Sequence, residues 1–142
     1  MTKKIYKLSF DNQSDFYIIG LVSPENDYKI SWEINQSLNF NLVNIESIEI
    51  KSSKHPEYLT FPVYYYEDEK ELIKYYLIGN KTNDGFLLED YKNIDYLIKI
   101  AGDFSDDISG FVMNLKSVEN IITAFQIPLQ HLKQKDIQLL NF

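Results

Sequence analysis

Two aspartates, Asp90 and Asp95, flank a short turn-like segment that leads into the apolar run Leu97–Ile100. A pair of carboxylates can act as general acid and base, and a tyrosine such as Tyr96 can donate a proton. The neighbouring sequence supplies no base, metal ligand or phosphate-binding glycine loop to accompany them. Their first interpretation is therefore structural, because aspartates accept backbone N–H bonds in turns and a buried tyrosine can bond through its hydroxyl. A recognition site is the alternative.

Other reactive side chains are scattered rather than grouped. His55 lies in a loop before a proline and His131 in the C-terminal segment, and neither has another ligand at the spacing of a metal site. The acidic run 67–71 lacks the glycine and ligand offsets of a calcium loop. There are no cysteines, and none of the 5 glycines falls in a GxGxxG or GxxxxGKS/T pattern. We predict no catalytic residues, no metal and no cofactor, and an unrecognised enzyme is the least favoured alternative.

Composition and charge limit the kinds of partner. The chain has 142 residues, 44% of them apolar and 15% aromatic, which suits a single folded domain over 1–142. Its formal net charge is −7, and all 14 basic residues are lysines. Affinity for nucleic acid depends largely on cationic contacts with phosphates, and arginine supplies the planar fork that grips them. The sequence therefore disfavours a nucleic-acid partner.

The sequence also lacks membrane and export signals. No apolar run approaches the ~20 residues of a membrane-spanning helix. The segment Met1–Lys7 has basic residues but no following apolar stretch with a cleavage site. We therefore expect a cytoplasmic protein without membrane contact.

The first third of the chain predicts a strand, an apolar segment of undecided type and a helix. Residues Ile5–Phe10 alternate in polarity, as a half-buried strand does. For the apolar run Phe16–Val22, periodicity does not decide between strand and short helix. Ser23-Pro24-Glu25 is typical of a helix start, and we predict a helix from Pro24 to about Leu38. Its predicted inward-facing residues are Tyr28, Trp32 or Ser31, Asn35 and Leu38.

The rest of the chain predicts mainly strands, with two helices. Aromatic and branched residues predict strands over Tyr58–Tyr66 and Leu72–Gly79, joined by an exposed acidic turn at 67–71. Further predicted elements are a turn at 81–85, a short strand Phe86–Leu88, a strand Asp95–Ala101, a helix Ile108–Val118 with Phe111, Val112 and Leu115 inward, a strand Ile121–Ile127, and a short C-terminal helix opened by Pro128-Leu129 and containing Leu132. Asp103, Asp106 and Asp107 are assigned to the positive end of the Ile108–Val118 helix.

These elements predict an α+β fold, a single-domain two-layer sandwich with a mostly antiparallel sheet and helices mainly on one face. The final strand–helix–strand unit resembles half of a ferredoxin-like split βαβ arrangement. Such a topology carries no function by itself.

The tyrosines of the middle strands have two interpretations. Alternation directs Tyr64 and Tyr66 to one face of the sheet and Phe61, Val63 and Tyr65 to the other, so both faces carry large rings. Cross-strand aromatic packing is the simpler explanation. A partner surface is the sharper one, because tyrosine suits contacts that are apolar on one side and polar on the other. Stacking of nucleic-acid bases is disfavoured by the acidic charge and the absence of arginine.

The segment Leu88–Tyr96 also carries a family resemblance. The chain resembles the IPExxxVDY family of small Bacteroidota proteins, which is named after its motif. Asp95 and Tyr96 match the motif outright, and Leu88 and Ile94 are conservative replacements. Asp90 keeps the acid of the motif, whereas Glu89 stands in place of its proline. Similar residues also occur at Asp27-Tyr28-Lys29, Trp32, Asn35 and Tyr75–Lys81. The resemblance implies kinship over most of the chain and brings no established activity.

We predict a non-enzymatic protein-interaction or adaptor module that acts on an unknown protein partner or by self-association. The alternative is a small-molecule-binding regulatory domain resembling ACT-like modules, which rests on the final strand–helix–strand unit. The candidate partner-binding residues are Tyr28, Trp32, Tyr64, Tyr66, Asp90, Asp95 and Tyr96.

Overall fold

The computed structural model describes residues 16–51, 57–102, 104 and 107–142. The predicted strand Ile5–Phe10 and the residues His55, Asp103 and Asp106 lie outside the described residues. Within them, no helix is long and apolar enough to cross a membrane.

The described chain forms six β-strands and three α-helices. In chain order they are β1 Phe16–Val22, α1 Asp27–Leu38, β2 Val43–Lys51, β3 Tyr58–Asp68, β4 Ile73–Gly79, β5 Tyr96–Gly102, α2 Ile108–Lys116, β6 Thr123–Ile127 and α3 Gln134–Leu140. A 3₁₀ turn, Leu129–His131, lies between β6 and α3.

These strands lie in one sheet in the order β2-β3-β4-β5-β1-β6, and every neighbouring pair is antiparallel. Since β5 and β6 are both antiparallel to β1, which lies between them, they run parallel to each other. Helix α2 connects them, so the C-terminal half contains a split βαβ unit. The predicted α+β fold with an antiparallel sheet is confirmed, and Phe16–Val22 is a strand.

Alternation along the strands divides the core into two clusters, one on each face of the sheet. One cluster packs Tyr75, Leu77, Ile98 and Ile100 against Ile30 and Ile34 of α1 and Leu115 of α2. The other packs Phe61, Val63, Ile78 and Leu97 against Ile137 and Leu140 of α3 and against Leu88 and Ile94, which precede β5. Each large apolar side chain buried in this way contributes about 1.5 to 3 kcal/mol. Helices therefore lie mainly on one face, as predicted, and α3 packs on the opposite one.

Strand β2 is not among the predicted elements. Ile45 pairs with Val63 and Ile48 pairs with Phe61, so β2 contains one residue more than β3 over this stretch. Such a bulge returns the next apolar residues to the same face of the sheet. It also interrupts the period of two on which the recognition of a strand from sequence depends.

Helix α1 begins later than predicted. Its N-cap is Asn26, whose side chain accepts a hydrogen bond from the backbone N of Lys29 at 2.8 Å. Ser23 instead accepts a hydrogen bond from the backbone N of Glu25 at 3.2 Å, within the turn that precedes the helix. The capping preference that favoured Ser23 is met equally well by asparagine, so sequence alone does not choose between them.

The predicted inward-facing stripe of α1 is wrong for its two aromatic residues. Tyr28 is 75% exposed and Trp32 is 56% exposed, whereas Ile30 and Ile34 are fully buried. Residues at i and i+4 share a helix face, and two isoleucines make a purely hydrocarbon stripe. Tyrosine and tryptophan each carry a polar atom that needs a partner when buried. The smaller aliphatic pair therefore takes the inner face.

Other predicted elements differ from the structure in type or extent, including the helix and the strand that end at Lys116 and begin at Thr123. Phe86–Leu88 is not a strand, and only Phe86 makes an isolated bridge, to Lys81. The predicted C-terminal helix is divided into the 3₁₀ turn and α3, with buried Leu132 between them. Strand β3 continues to Asp68, into the predicted turn. The ends of these elements are determined by tertiary contacts, such as the burial of Leu132 against the core. The periodicity of the sequence does not report such contacts.

Candidate functional site

The segment 80–95, between β4 and β5, is organised by the buried side chain of Asn80. Its Nδ2 donates to the carbonyl oxygens of Tyr91 and Ile94 at 2.9 Å each, and its Oδ1 accepts from the backbone N of Leu88 at 2.8 Å. Both amide hydrogens and the oxygen are thus used within the protein. Asn80 was not among the site residues predicted from the sequence. The feature that could have indicated it is a polar residue directly after the apolar strand β4.

Asp95 joins the start of β5 to the end of β1. Its Oδ2 accepts a hydrogen bond from the backbone N of Ser23 at 2.8 Å, and its Oδ1 lies 2.7 Å from Nζ of Lys81. Its backbone N donates to the carbonyl oxygen of Leu21 at 2.9 Å. These are the contacts expected of a carboxylate that fixes a turn.

Asp90 has a different environment from Asp95. Its Oδ2 lies 3.3 Å from Nζ of Lys133, and both side chains are more than half exposed. An exposed ion pair of this kind contributes about 0 to 1 kcal/mol. The two aspartates thus bind different lysines. They do not form the pair of adjacent carboxylates that was considered for acid–base chemistry.

Tyr96 and Tyr64 hold the start of α1 against the sheet. Both rings are buried. The hydroxyl of Tyr96 donates to the carbonyl oxygen of Glu25, and the hydroxyl of Tyr64 donates to Oδ2 of Asp27 at 2.8 Å. We refer to Tyr64, Asp95 and Tyr96 together as the α1 anchor, because all three bind the turn before α1 or its first residue.

The anchor tyrosines are poorly suited to acid–base catalysis. Burial raises the pKa of the Tyr64 hydroxyl to about 12, and the hydrogen bond to Asp27 acts in the same direction. Burial also raises the pKa of Tyr96, with further contributions from the negative charges of Asp27 and Asp95. A general acid works best with a pKa near the operating pH. These hydroxyls therefore serve as permanent hydrogen-bond donors.

A cavity of about 240 Å³ lies beside the α1 anchor. Its lining includes Asp27, Lys81 and Asp95, all of which bond to other protein groups. Among the described residues, no group of three or more His, Cys, Asp or Glu side chains is arranged to hold a metal ion. These three polar groups are thus committed to the fold.

The aromatic residues Tyr28 and Trp32 lie on the opposite, outward side of the same helix. They are one helical turn apart and therefore share a face. Tyr66, by contrast, belongs to a ring cluster inside the fold. Its ring centroid lies 5.8 Å from that of Tyr75 and 4.8 Å from that of Phe40. The structure thus places Tyr28 and Trp32 together on an exposed surface, and it separates them from Tyr66.

The seven predicted site residues therefore fall into three groups. Tyr64, Asp95 and Tyr96 form the α1 anchor beneath the start of the helix. Tyr28 and Trp32 form the exposed face above it. Tyr66 and Asp90 lie apart from both groups, in the aromatic cluster and beside α3 respectively.

A buried lysine on the opposite face of the sheet has the chemistry of a reactive amine. The Nζ of Lys99 lies 5.0, 4.9 and 4.0 Å from the ring centroids of Phe16, Tyr76 and Phe142, and it donates to the carbonyl oxygen of Phe142 at 2.7 Å. Burial lowers the pKa of this ammonium to about 8, and the charge of Lys74 acts in the same direction. Lys99 is only 1% exposed, so a substrate has no direct access to it.

Comparison of the chain with models of protein families, with curated proteins and with solved structures finds no match. The resemblance to the IPExxxVDY family therefore stays a prediction, and the geometry of the described residues is the basis for assigning a function.

Proposed function

We propose that this protein is a non-enzymatic interaction module that binds a protein partner through the outer face of α1, formed by Tyr28 and Trp32. The observation that carries the proposal is the exposure of the only tryptophan in the chain, one helical turn after a tyrosine that is still more exposed. Tryptophan and tyrosine are enriched among the residues that supply most of the binding energy in protein interfaces.

The attachment of α1 supports this proposal. Ile30 and Ile34 are fully buried on its inner face, and Tyr64 and Tyr96 hold its first turn and the turn before it. Aromatic side chains on a fixed helix lose little conformational freedom when a partner binds. The α1 anchor thus has a functional consequence, because it presents the outer face in one orientation.

The charges favour a basic partner. The chain has a formal net charge of −7, and Glu25 and Asp27 adjoin Tyr28, whereas α1 contains one lysine, Lys29. A partner with an apolar groove and a lysine- or arginine-rich rim would complement this face, and the opposite charges would accelerate association. Two copies of the chain repel each other electrostatically, so self-association is the less favoured arrangement.

The fluorescence of Trp32 provides a direct test, because no other tryptophan contributes to the signal. In the free protein we expect strong quenching by acrylamide. A partner recovered by affinity capture from native lysate, then purified and titrated, should shift the emission to shorter wavelength and protect Trp32 from the quencher. An unchanged spectrum on saturation with the partner would contradict binding at this face.

Substitution of both aromatic residues should weaken binding. For Trp32→Ala combined with Tyr28→Ser we expect an increase in Kd of at least about 30-fold, the effect of losing a binding hot spot of about 2 kcal/mol. Tyr58→Ser is the matched control, since Tyr58 is 59% exposed but lies on β3. Equal affinities for the two variants would overturn the proposal. If the free protein dimerises in sedimentation experiments and only the α1 variant is monomeric, the face serves self-association instead.

A further inference from the structure

A second cavity, of about 400 Å³, lies on the face of the sheet opposite to α1. It opens between the end of β2, the start of β3, the segment 80–95 and α3. Its volume is within the range of about 300 to 1,000 Å³ that is usual for small-ligand sites. Its lining combines apolar and charged side chains.

The lining of the cavity has an apolar part and a charged part. Leu87 is buried, and Ile50, Leu59 and Leu139 pack against the core, so they form an apolar floor. Lys51, Lys133 and Lys135 also line the cavity and bring three positive charges to it. Lys133 makes an exposed ion pair with Asp90, and such a weak pair can readily exchange for another anion.

Asp136 is the most informative residue of the cavity. It is only 7% exposed although it belongs to the lining of the cavity. Burial raises the pKa of this carboxyl, while the charges of Lys135 and Lys133 oppose the increase and those of Asp90 and Glu89 add to it. Burial disfavours the charged form of a carboxylate, and a nearby positive charge favours it. The ammonium group of a ligand in the cavity would therefore stabilise the Asp136 carboxylate.

We propose that this cavity binds a small zwitterion of the α-amino acid class with an apolar side chain. The ligand's ammonium donates to the carboxylate of Asp136, and its carboxylate lies among the ammonium groups of the three lysines. Its side chain packs on Phe86 and the apolar floor. Neither a simple amine nor a simple carboxylate makes both polar contacts, so the cavity should discriminate against each of them.

The discrimination can be measured with three matched pairs of probes. L-leucine and L-phenylalanine are compared with isocaproate and hydrocinnamate, which lack the amine, and with isoamylamine and phenethylamine, which lack the carboxylate. In thermal unfolding and calorimetric titration, we expect the amino acids to raise Tm and to bind at least about 10-fold more tightly than either counterpart, the loss expected for one charged hydrogen bond. Equal binding of hydrocinnamate and phenylalanine, or no stabilisation by either amino acid at about 10 mM, would overturn the proposal.

Two variants separate the roles of the charged groups. Asp136→Asn retains the volume of the side chain and should abolish the preference for phenylalanine over hydrocinnamate. Lys135→Met should reduce the preference for phenylalanine over phenethylamine, since Lys51 and Lys133 remain. Because Lys135 is exposed, this variant is expected to fold even if the first does not. Asp84→Asn and Lys116→Met, both at exposed positions outside the cavity, are the controls and should bind as the wild type does.

Unchanged preferences in both test variants would contradict the assigned geometry. Because Trp32 lies on the other face, partner binding and ligand binding succeed or fail independently.

Discussion

At the scale of single residues, polar side chains with protein partners fix the segment 80–95 and its junction with β1. Asn80 uses its whole amide to hold three backbone groups, and Asp95 binds both a backbone N–H and a lysine. Asn80 satisfies backbone groups of the segment 80–95 that lack a partner in a helix or strand, and a buried polar group requires a partner. Such residues specify a backbone conformation more than they contribute net stability.

Replacement of Asn80 should be costly. Asn80→Ala leaves the N–H of Leu88 and the carbonyl groups of Tyr91 and Ile94 without their partner, so we expect the free energy of unfolding to fall by about 2 to 4 kcal/mol in urea denaturation. Asn93→Ala, at an exposed position of the same segment, is the control and should change stability by less than about 0.5 kcal/mol. A loss below about 1 kcal/mol for Asn80→Ala would show that apolar burial alone holds the segment.

At the scale of elements, α1 is held by two different kinds of contact. Ile30 and Ile34 supply apolar burial along the inner face, and the anchor tyrosines supply hydrogen bonds at the first turn. The apolar contacts determine that the helix packs on the sheet, whereas the hydrogen bonds restrict how its first turn is placed. The orientation of Tyr28 and Trp32 depends on both.

Removal of either anchor hydroxyl should loosen the start of α1. For Tyr96→Phe and for Tyr64→Phe we expect a loss of about 1 kcal/mol each, together with faster hydrogen exchange of the amides in the first turn. Tyr65→Phe is the control, because the Tyr65 hydroxyl bonds only to the exposed Glu67, at 3.0 Å. Uniform exchange rates in α1 for all three variants would indicate that the isoleucine contacts suffice.

At the scale of the whole molecule, the two proposed sites lie on opposite faces of one sheet. Helix α1 and its aromatic pair lie on one side, and α3, the second cavity and Lys99 lie on the other. Strands β4, β5 and β1 are covered on both faces, so they link the two sides through one rigid layer. The titratable groups buried on both sides also couple the stability of the molecule to pH.

Stability should pass through a maximum at alkaline pH. The unfolded chain retains the proton of Lys99 up to about pH 10, whereas the folded chain loses it near pH 8, so the free energy of unfolding should rise over this interval by up to about 3 kcal/mol. Above about pH 10 the sign reverses, because folded Tyr64 keeps a proton that the unfolded chain loses. Urea denaturation of Lys99→Met should lack the rise, while the exposed-site control Lys70→Met should retain it. A rise of equal size in Lys99→Met would assign the effect to other groups.

The sequence by itself determined the elements with strong local periodicity. Strands β3 and β4, most of β5, helix α2 and the α+β class were all predicted, because alternation and helical spacing report burial on one face of a continuous element. The role of Asp95 as a turn-fixing carboxylate was also predicted, since aspartate side chains accept backbone N–H bonds in turns, whereas Asp90 forms an exposed ion pair instead. Strand β2 was missed because its bulge interrupts the period that defines a strand.

Only the tertiary structure decided which groups meet. The inner face of α1 went to Ile30 and Ile34 because hydrocarbon is buried at lower cost than the polar atoms of Tyr28 and Trp32, a comparison that local spacing does not contain. The same holds for Asn80, which bonds to residues up to 14 positions away, and for the cavity at Asp136, which draws on four separate parts of the chain. Long-range packing therefore selects the exposed aromatic face and the largely buried carboxylate beside the cavity, the two features on which function is proposed.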